Sequence, residues 1–564
     1  MTPGQVSIDS GASLPAVHQP LFDVSNTLPD TLSTRKPCRC LESILPSLKG
    51  ILTPDEASEM LEVYFNDEHS SFFKSTSPYM LAHVLHPSSV LHPTHTRPHS
   101  PALLAVILFC AAQTADMKIF DPPGARERTS IDLYRLSLDL LQSEDPDNFF
   151  RTSGLSSTAP CVPWPLLMFF VDGWQFHPHP SGIPPSIDRQ PSGKTLLPKQ
   201  LGSTDTILAV AILTITISGG HYKADSLKWR DKLARLVRAS GLSMEDQDID
   251  LGPVFCGLYN GDATFRRWVI AKEERRRLFW LIYCLDRHLA LSFNTRLSIP
   301  EGTFCVRTPL PENLWQSLDI MDLNNIPASP IGPPFQISGC GFFEYFLPLA
   351  NVLGHIIDLH HYRSHPTVGA IISHEAIRRV EAMISQREQE LMDLESQMGV
   401  HFPDKSQVQP FPGENTVVSS QGVQTYSTPS NAASTKSKLP LVKAYSTYLL
   451  HVFYILLHGK WDPISMIEDN DDWITSDSFL TCASHALSAT GVVSQILTLD
   501  PEMVFMPYLF GIYLLQGSFI LLLFVDRMPE LGPNRSVEEV CETIIRAHEV
   551  SVVTLDTTFQ VCKS

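Results

Sequence analysis

A chain of 564 residues with 43% hydrophobic content can bury a large core, which excludes a protein that is disordered throughout. Its formal net charge is -18, from 42 Lys and Arg against 60 Asp and Glu. So acidic a surface repels nucleic-acid phosphates, and the longest basic run is only Arg275 to Arg277, so the sequence does not support direct nucleic-acid binding.

The eleven cysteines are scattered along the chain, and no two of them form a Cys-x2-Cys pair. Most lie in apolar stretches, as Cys110 does within 103–112, which indicates reduced and buried thiols in an intracellular protein. Only Cys38 and Cys40 lie close together. The N-terminal residues lack the apolar core of a secretory signal, so we expect no such signal.

The first part of the chain predicts a flexible lead-in followed by helices. Residues 1–40 are rich in Pro, Ser and Thr without any period, which predicts a disordered segment, with one folded domain over 41–564. Thr53-Pro54 is typical of a helix start, with Thr53 as N-cap and proline at the first helical position. Ser100-Pro101 predicts a second helix in the same way.

The remaining apolar stretches also favour helices. The stretch 207–217 is apolar and predicts a helix, although its β-branched residues would also suit a buried strand. Helical periodicity returns at 342–361, 376–398, 441–457, 478–497 and 540–553. Because no run of alternating strands with hairpin turns is present, the predicted fold class is all-α, a large multi-helix domain.

Two stretches interrupt this helical pattern. Residues 177–202 are rich in proline with Ser and Gly between, and residues 404–438 are polar and rich in Ser and Thr. Both are predicted to be flexible insertions.

The most apolar stretch, 509–525, has two interpretations. A membrane-spanning helix needs about 20 apolar residues. Pro507 before the stretch and Asp526-Arg527 after it leave it just short of that length. A helix that is apolar on all sides is also typical of the centre of a large bundle, and we favour this interpretation.

The charged segment, 273–288, combines apolar helical periodicity with a dense run of charges. Leu278, Leu281, Ile282, Leu285 and Leu289 recur at spacings of three and four, which predicts a helix with one buried face. Glu273 and Arg277 are spaced for an ion pair, and Arg276 and Arg277 are placed to lie over the Trp280 indole. By residue chemistry alone, the charges form either a solvated face or an internal scaffold.

The order of motifs in this region resembles a known family. A Glu-Arg-Arg-Arg run is followed by Phe279-Trp280, then by Asp286-Arg287, a short polar loop and the sequence Leu-Ser-Ile-Pro at 297–300. This order resembles the signature of the fungal-specific transcription factor domain, the middle homology region of the zinc-cluster regulators, and in particular the xylanolytic transcriptional activator group, from about Leu45 to Thr557. The family-signature residues, to which the resemblance assigns a structural role, are Glu274, Arg275, Arg276, Arg277, Trp280, Asp286, Arg287 and His288.

The resemblance implies a nuclear regulator of transcription, with shuttling to the cytoplasm left open. Its implied gene sets are polysaccharide degradation or a biosynthetic cluster. The implied partners are other transcription regulators or a second copy of the chain in a dimer, with no membrane and an unidentified small-molecule inducer. The alternatives are a corepressor-like interaction protein without DNA binding and, more remotely, a membrane-associated helical protein or an enzyme.

The chain departs from the family pattern in its cysteines. Family members begin with six cysteines that hold two zinc ions and present a helix to DNA. The cysteines of this sequence lack that spacing, so DNA contact is expected only indirectly or through a zinc cluster missing from this sequence. No cofactor is expected, and zinc is expected only together with such a cluster.

We find no complete sequence motif for catalysis or metal binding. Residues 192–195 imitate the end of a phosphate-binding loop, but Asp188 stands where its first glycine belongs. Among the histidines, we interpret His355, His360, His361 and His365, with Asp358, as a polar helix edge rather than a metal site, and His83, His86, His92, His95 and His99 as a surface loop. We therefore assign no catalytic, cofactor-binding or metal-binding residue.

Overall fold

The computed structural model describes residues 38–65, 81–91, 97–113, 115–144, 198–218, 223–245, 263–334, 336–365, 367, 374–397, 429–468, 472–531 and 535–555. All of them belong to one compact unit, 37–564. Over these ranges the regular structure consists of sixteen α-helices, four short 3-10 helices and two isolated β-bridges, with no strand. The predicted all-α fold class is confirmed.

Seven helices precede the charged segment. They are α1 (Leu45–Leu48), α2 (Pro54–Phe65), α3 (Pro87–Val90), α4 (Pro101–Ala112), α5 (Ala125–Glu144), α6 (Pro198–Ser218) and α7 (Lys223–Ala239). Helix α4 is buried from Ala102 to Ala112 and packs against α2, α5 and α6. Helix α6 includes 207–217, so the helical interpretation of this apolar stretch is correct.

Both predicted N-caps are present. The Glu56 amide donates to Thr53 Oγ1 at 3.3 Å, and Glu56 Oε2 accepts from the Thr53 amide at 2.8 Å, which completes a reciprocal capping box. The Leu103 amide donates to Ser100 Oγ at 3.3 Å. These caps satisfy backbone donors that would have no partner inside the helix.

Nine further helices follow. They are α8 (Ala263–Ser292), α9 (Glu312–Gln316), α10 (Phe342–Arg363), α11 (His374–Gln397), α12 (Pro429–His458), α13 (Pro463–Glu468), α14 (Asp477–Leu499), α15 (Pro507–Leu531) and α16 (Arg535–Leu555). Helix α12 packs against α10, α11, α14 and α15. Helix α8 contacts α6, α7, α10 and α15, so it lies where helices from both halves of the chain meet.

The two predicted insertions lie mostly outside the described residues. Their described ends, 198–202 and 429–438, are helical and form the first turns of α6 and α12. Each helix begins with a proline, Pro198 or Pro429, at a position where the missing N–H removes no helical hydrogen bond.

Two of the described helices are long and apolar enough to span a membrane by length and composition. In α10 and in the part of α12 from Lys438 to His458, 67% and 72% of the apolar window is buried inside the protein. Helix α15, which contains the apolar stretch 509–525, buries Leu509, Phe510 and Tyr513. Burial against neighbouring helices is what the core-helix interpretation expects.

The contact between α12 and α15 requires a glycine, and this gives a first prediction. A Cβ at Gly517 would lie 2.5 Å from Tyr448 Oη and 3.2 Å from a Val452 methyl carbon. We expect Gly517→Ala to lower the free energy of unfolding by about 1–3 kcal/mol, because the buried Tyr448 must shift. The matched control is the exposed Gly491 of α14, which has no atom within 4 Å of its Cβ position, and Gly491→Ala should raise the free energy by about 0.5–1 kcal/mol. Urea unfolding of the full chain measures both, and equal changes in the two variants would contradict the packing argument.

Candidate functional site

Helix α8 carries charged side chains into the protein interior. Glu273, Glu274, Arg277, Asp286 and Arg287 are each at most 3% exposed. Ionised groups at such depth persist only when they are paired or hydrogen-bonded. Of the two interpretations left open by the sequence, the solvated charge face therefore does not describe these five residues.

Arg277 is fully buried between three other segments. Its Nη2 donates to Glu312 Oε2 at 2.6 Å, and its Nε donates to the His83 carbonyl oxygen at 2.9 Å. The guanidinium carbon lies 4.8 Å from the Trp315 ring centroid and 5.0 Å from that of Phe343. Arg277 thus joins α8 to α9, to α10 and to the segment before α3.

The aromatic partner of Arg277 predicted from sequence is wrong. Trp280 instead donates through Nε1 to the Arg307 carbonyl oxygen at 2.7 Å, and its ring packs against Tyr283 and Phe304 at centroid distances of 5.0 and 5.5 Å. The one-turn spacing within α8 was compatible with a cation-π contact, but Trp315 and Phe343 from other helices occupy the faces of the guanidinium.

The predicted pairing of Glu273 with Arg277 is also replaced by other contacts. Glu273 Oε2 accepts from Arg276 Nη1 at 2.6 Å, and its Oε1 accepts from the Leu310 amide at 2.7 Å. Burial raises the pKa of Glu273 above its ordinary value, against the opposing effect of Arg276 and Arg277. Arg277 therefore pairs with Glu312, and Glu273 pairs with Arg276.

Arg276 continues this network outward to the loop after α7. It pairs with Glu245 Oε1, and Glu245 Oε2 accepts from the Arg307 amide at 2.6 Å. Burial would raise the pKa of Glu245, but Arg276 holds it below its ordinary value. The third arginine of the run, Arg275, donates to the Gly241 carbonyl oxygen at 2.7 Å.

Asp286 connects α8 to α7 and to the loop that follows α8. Its carboxylate accepts from the Ser298 and Ile299 amides at about 3.0 Å and from Arg230 Nε at 2.9 Å. Arg230, in α7, also donates to the Arg296 carbonyl oxygen at 2.6 Å. One buried carboxylate therefore fixes the path of residues 295–299.

Arg287 is enclosed between this loop and α10. Its Nη2 donates to Glu301 Oε1 at 2.9 Å, its Nη1 lies 3.4 Å from Asp286 Oδ2, and its guanidinium carbon lies 3.3 Å from the Tyr283 ring centroid. Burial opposes the charge, but Tyr283, Asp286 and Glu301 raise the pKa of Arg287 above its ordinary value. A Cβ at Gly354 of α10 would lie 3.3 Å from Arg287 Nε, so the glycine permits the close approach.

Glu274 carries the network into the N-terminal helices. It accepts from the His86 amide at 2.9 Å and lies 3.3 Å from Arg97 Nη2. Arg97 Nη2 also pairs with Asp205 Oδ1 of α6 at 2.8 Å, and Asp205 Oδ2 lies 3.3 Å from His99 Nδ1. His288, the last family-signature residue, packs its ring against Tyr508 at a centroid distance of 4.8 Å.

Sequence reasoning missed the partners of the charged segment. These partners are Arg97, Arg230, Glu245, Glu301 and Glu312, and Asp205 in turn pairs with Arg97. Each of these residues is distant in sequence from its partner, and no periodic spacing links it to the charged segment. We find no sequence signal that would have identified these residues.

The surface-loop interpretation of the early histidines is wrong for two of them. His86 and His99 are buried. The His86 ring contacts the Trp315 carbonyl oxygen at 3.1 Å, and the His99 ring contacts the Ser89 carbonyl oxygen at the same distance. His92 and His95 lie outside the described residues.

The later histidines form a packed helix edge. His360 stacks on Trp461 at a centroid distance of 3.8 Å, and burial, together with His361 and Arg363, lowers the pKa of His360 to about 4. Over the described ranges, no group of three or more His, Cys, Asp or Glu side chains is placed to hold a metal ion. The loop-like sequence 188–195 lies outside those ranges.

Comparison with known proteins bears on this geometry. Residues 203–390, from α6 into α11, match the fungal specific transcription factor domain. This region of the chain belongs to that family. The matched region contains α8 and its whole charged segment, so the buried network lies within the family domain. The matched family is one of transcription factors and not of enzymes.

The similarity to individual proteins extends well beyond the matched region. The xylanolytic transcriptional activator xlnR of Aspergillus clavatus is 34% identical over 554 residues, which cover 92% of this chain and 54% of the relative. The proteins of the same name from Emericella nidulans and Aspergillus terreus are 33% and 34% identical, over 92% and 95% of this chain and 58% and 56% of the relatives. The chain thus spans a little more than half the length of these relatives. No solved structure matches the chain.

Proposed function

We propose that this chain is a nuclear transcriptional regulator that controls a fungal metabolic gene set, with polysaccharide-degradation genes as the first candidates. The observation that carries the proposal is the continuous similarity to xylanolytic activators over 92–95% of the chain. The buried network fits a family domain, since its signature residues Glu274, Arg277 and Asp286 connect separate segments of the fold.

The mode of action that we propose is contact with other proteins, either another regulator that binds DNA or a second copy of the chain. Two observations support this mode. The chain carries a net charge of -18, which opposes binding to phosphates. Its one run of three arginines is engaged internally, with Arg276 paired to Glu273 and Glu245 and Arg277 paired to Glu312.

Tethering to a promoter tests the proposal directly. The full chain is fused to an unrelated DNA-binding module and expressed in a fungal host with a reporter gene under the matching operator. We expect reporter output to differ from that of the module alone. A rise indicates an activator, and a fall indicates the corepressor-like alternative. Unchanged output from a fusion that is present in the nucleus at normal abundance would overturn the proposal of a transcriptional regulator.

The gene set requires a second measurement. Expression of the untethered chain in a filamentous fungus should change transcripts for polysaccharide-degrading enzymes. The control is the Asp393→Ala variant, which should change the same transcripts as the wild-type chain. Asp393 is exposed on α11, and its hydrogen bond is to Gln389 of the same helix. A transcript response confined to biosynthetic genes would contradict polysaccharide-degradation genes as the targets, but it would still support a transcriptional regulator.

A further inference from the structure

Cys38 and Cys40 form a close thiol pair that the transcriptional proposal does not use. Their sulfur atoms lie 3.0 Å apart. Both are free cysteines, with Cys38 half-buried and Cys40 buried. Cys38 is therefore the more exposed residue of the pair.

The two thiols lie where three segments meet. Cys40 is in the 3-10 helix Arg39–Ser43, the Cys38 amide donates to Ser58 Oγ of α2 at 3.1 Å, and Cys38 Sγ lies 3.5 Å from the Val90 carbonyl oxygen at the end of α3. Helix α3 begins after His86, whose amide donates to Glu274 of the buried network. The thiol pair thus contacts a segment that the network itself holds.

Cys38 also has the electrostatic environment of a reactive cysteine. The hydrogen bond from the Cys40 thiol outweighs the effect of burial and lowers the pKa of Cys38 to about 6. The same interaction, with burial, raises the pKa of Cys40. Burial also raises the pKa of Cys284, Cys340 and Cys482 elsewhere in the described chain. The thiolate is the reactive form of a cysteine, and with a pKa of about 6 most of Cys38 is thiolate at neutral pH.

We propose that Cys38 and Cys40 are a redox-responsive dithiol that a hydroperoxide converts to an intramolecular disulfide. The Cys38 thiolate attacks one peroxide oxygen, the O–O bond breaks, and hydroxide leaves and takes up a proton to become water. The Cys40 sulfur then attacks the resulting sulfenic acid, an S–S bond forms, the S–O bond breaks, and hydroxide leaves with the Cys40 proton as a second water. Two thiols lose two electrons, and hydrogen peroxide is reduced to two waters.

Formation of the bond changes local contacts. The sulfur atoms must approach from 3.0 Å to a bonded separation of about 2.0 Å, so the hydrogen bond between the two thiols is replaced by a covalent bond. The shorter separation moves at least one sulfur atom, and Cys38 Sγ lies 3.5 Å from the Val90 carbonyl oxygen of α3, so oxidation should alter this contact.

Peptide mapping tests the proposal, because the sequence places a trypsin site between the two cysteines. Cleavage after Arg35, Arg39 and Lys49 separates Cys38, in 36–39, from Cys40, in 40–49. The full chain is treated with a small excess of hydrogen peroxide, alkylated in denaturant and digested without reductant. We expect the two peptides to appear joined by a disulfide. Both peptides alkylated as in the untreated sample, or Cys38 joined mainly to another cysteine, would overturn the proposal.

Variants and a pH profile make the result specific. Cys40→Ser should give a Cys38 sulfenic acid that dimedone traps, with no joined peptides, whereas Cys541→Ser, at a half-buried cysteine whose pKa is raised by burial, should leave the joined peptides unchanged. The rate of alkylation of Cys38 in the native chain should be half-maximal near pH 6 and shift upward in Cys40→Ser. A native midpoint at the ordinary thiol value of about 8.5 would overturn the proposal as well.

Discussion

Replacing Asp286 with alanine should lower the free energy of unfolding by about 3–5 kcal/mol, the largest effect of any single change in the network. The substitution removes the acceptor for the Ser298 and Ile299 amides and the counter-charge of Arg230, which is 5% exposed. It also leaves the fully buried Arg287 with Glu301 as its remaining carboxylate partner. Urea unfolding of the purified chain, followed by tryptophan fluorescence, measures the change.

Two controls separate the charge from the side chain's shape and from surface effects. Asp286→Asn keeps the volume and one acceptor oxygen but removes the charge, so its cost should fall between wild type and Asp286→Ala. Asp393→Ala, on the exposed side of α11, should change the free energy by less than about 0.5 kcal/mol. Equal effects of Asp286→Ala and Asp393→Ala would contradict the buried-hub role of Asp286.

Arg277→Ala should lower the free energy of unfolding by about 3 kcal/mol, toward the lower end for a broken buried ion pair. The guanidinium is fully buried between Trp315 and Phe343, so its loss removes packing as well as charge. Its partner Glu312 has a side chain that is 26% exposed, and partial hydration of that carboxylate limits the cost. Thermal and urea unfolding of the full chain both report the change.

A double-mutant cycle isolates the ion pair. Arg277→Met keeps apolar contact with the two rings and leaves Glu312 without its cation, while adding Glu312→Gln removes the unpaired charge. We expect the second change to recover part of the lost stability, with a coupling energy of about 0.5–3 kcal/mol. Simple additivity of the two changes would show that Arg277 acts through packing alone.

The same variants distinguish a scaffold from a contact surface. If the charged segment is a scaffold, Arg277→Ala and Asp286→Ala should lower the output of the tethered reporter only as far as they lower the stability and abundance of the fusion protein. A variant that keeps wild-type melting but loses reporter output would instead assign a partner-binding role to the segment.

Local sequence patterns predicted many of the helices, although α5 and α7 were not among them. Thr53-Pro54 and Ser100-Pro101 identified two helix starts correctly, because an N-cap hydroxyl and a proline act on backbone groups only a few residues away. The apolar period of 278–289 identified a buried helix, since positions three and four apart must share a face. Motif order in the charged segment, together with its likeness to a known family, identified the family before any contact was known.

The partners of the charges were not predictable in this way. Glu274 meets the His86 amide across 188 residues of sequence, Arg97 meets Glu274 across 177, and Arg277 meets Glu312 across 35. The spacing within α8 suggested Trp280 and Glu273 as partners of Arg277, and both suggestions failed because other helices supply its partners.

The difference has a physical origin. Helix formation and amphipathic burial depend on residues within one or two turns, so amino-acid order alone is enough to place them and, with the motif order, to recognise a helical regulatory domain. The pairing of a buried charge depends on which distant segment folding brings within about 3 Å, and desolvation makes that choice strict because an unpaired ion in the interior is costly. The assembled helices therefore decide that the three arginines at 275–277 are held internally, by the Gly241 carbonyl oxygen, Glu245, Glu273 and Glu312.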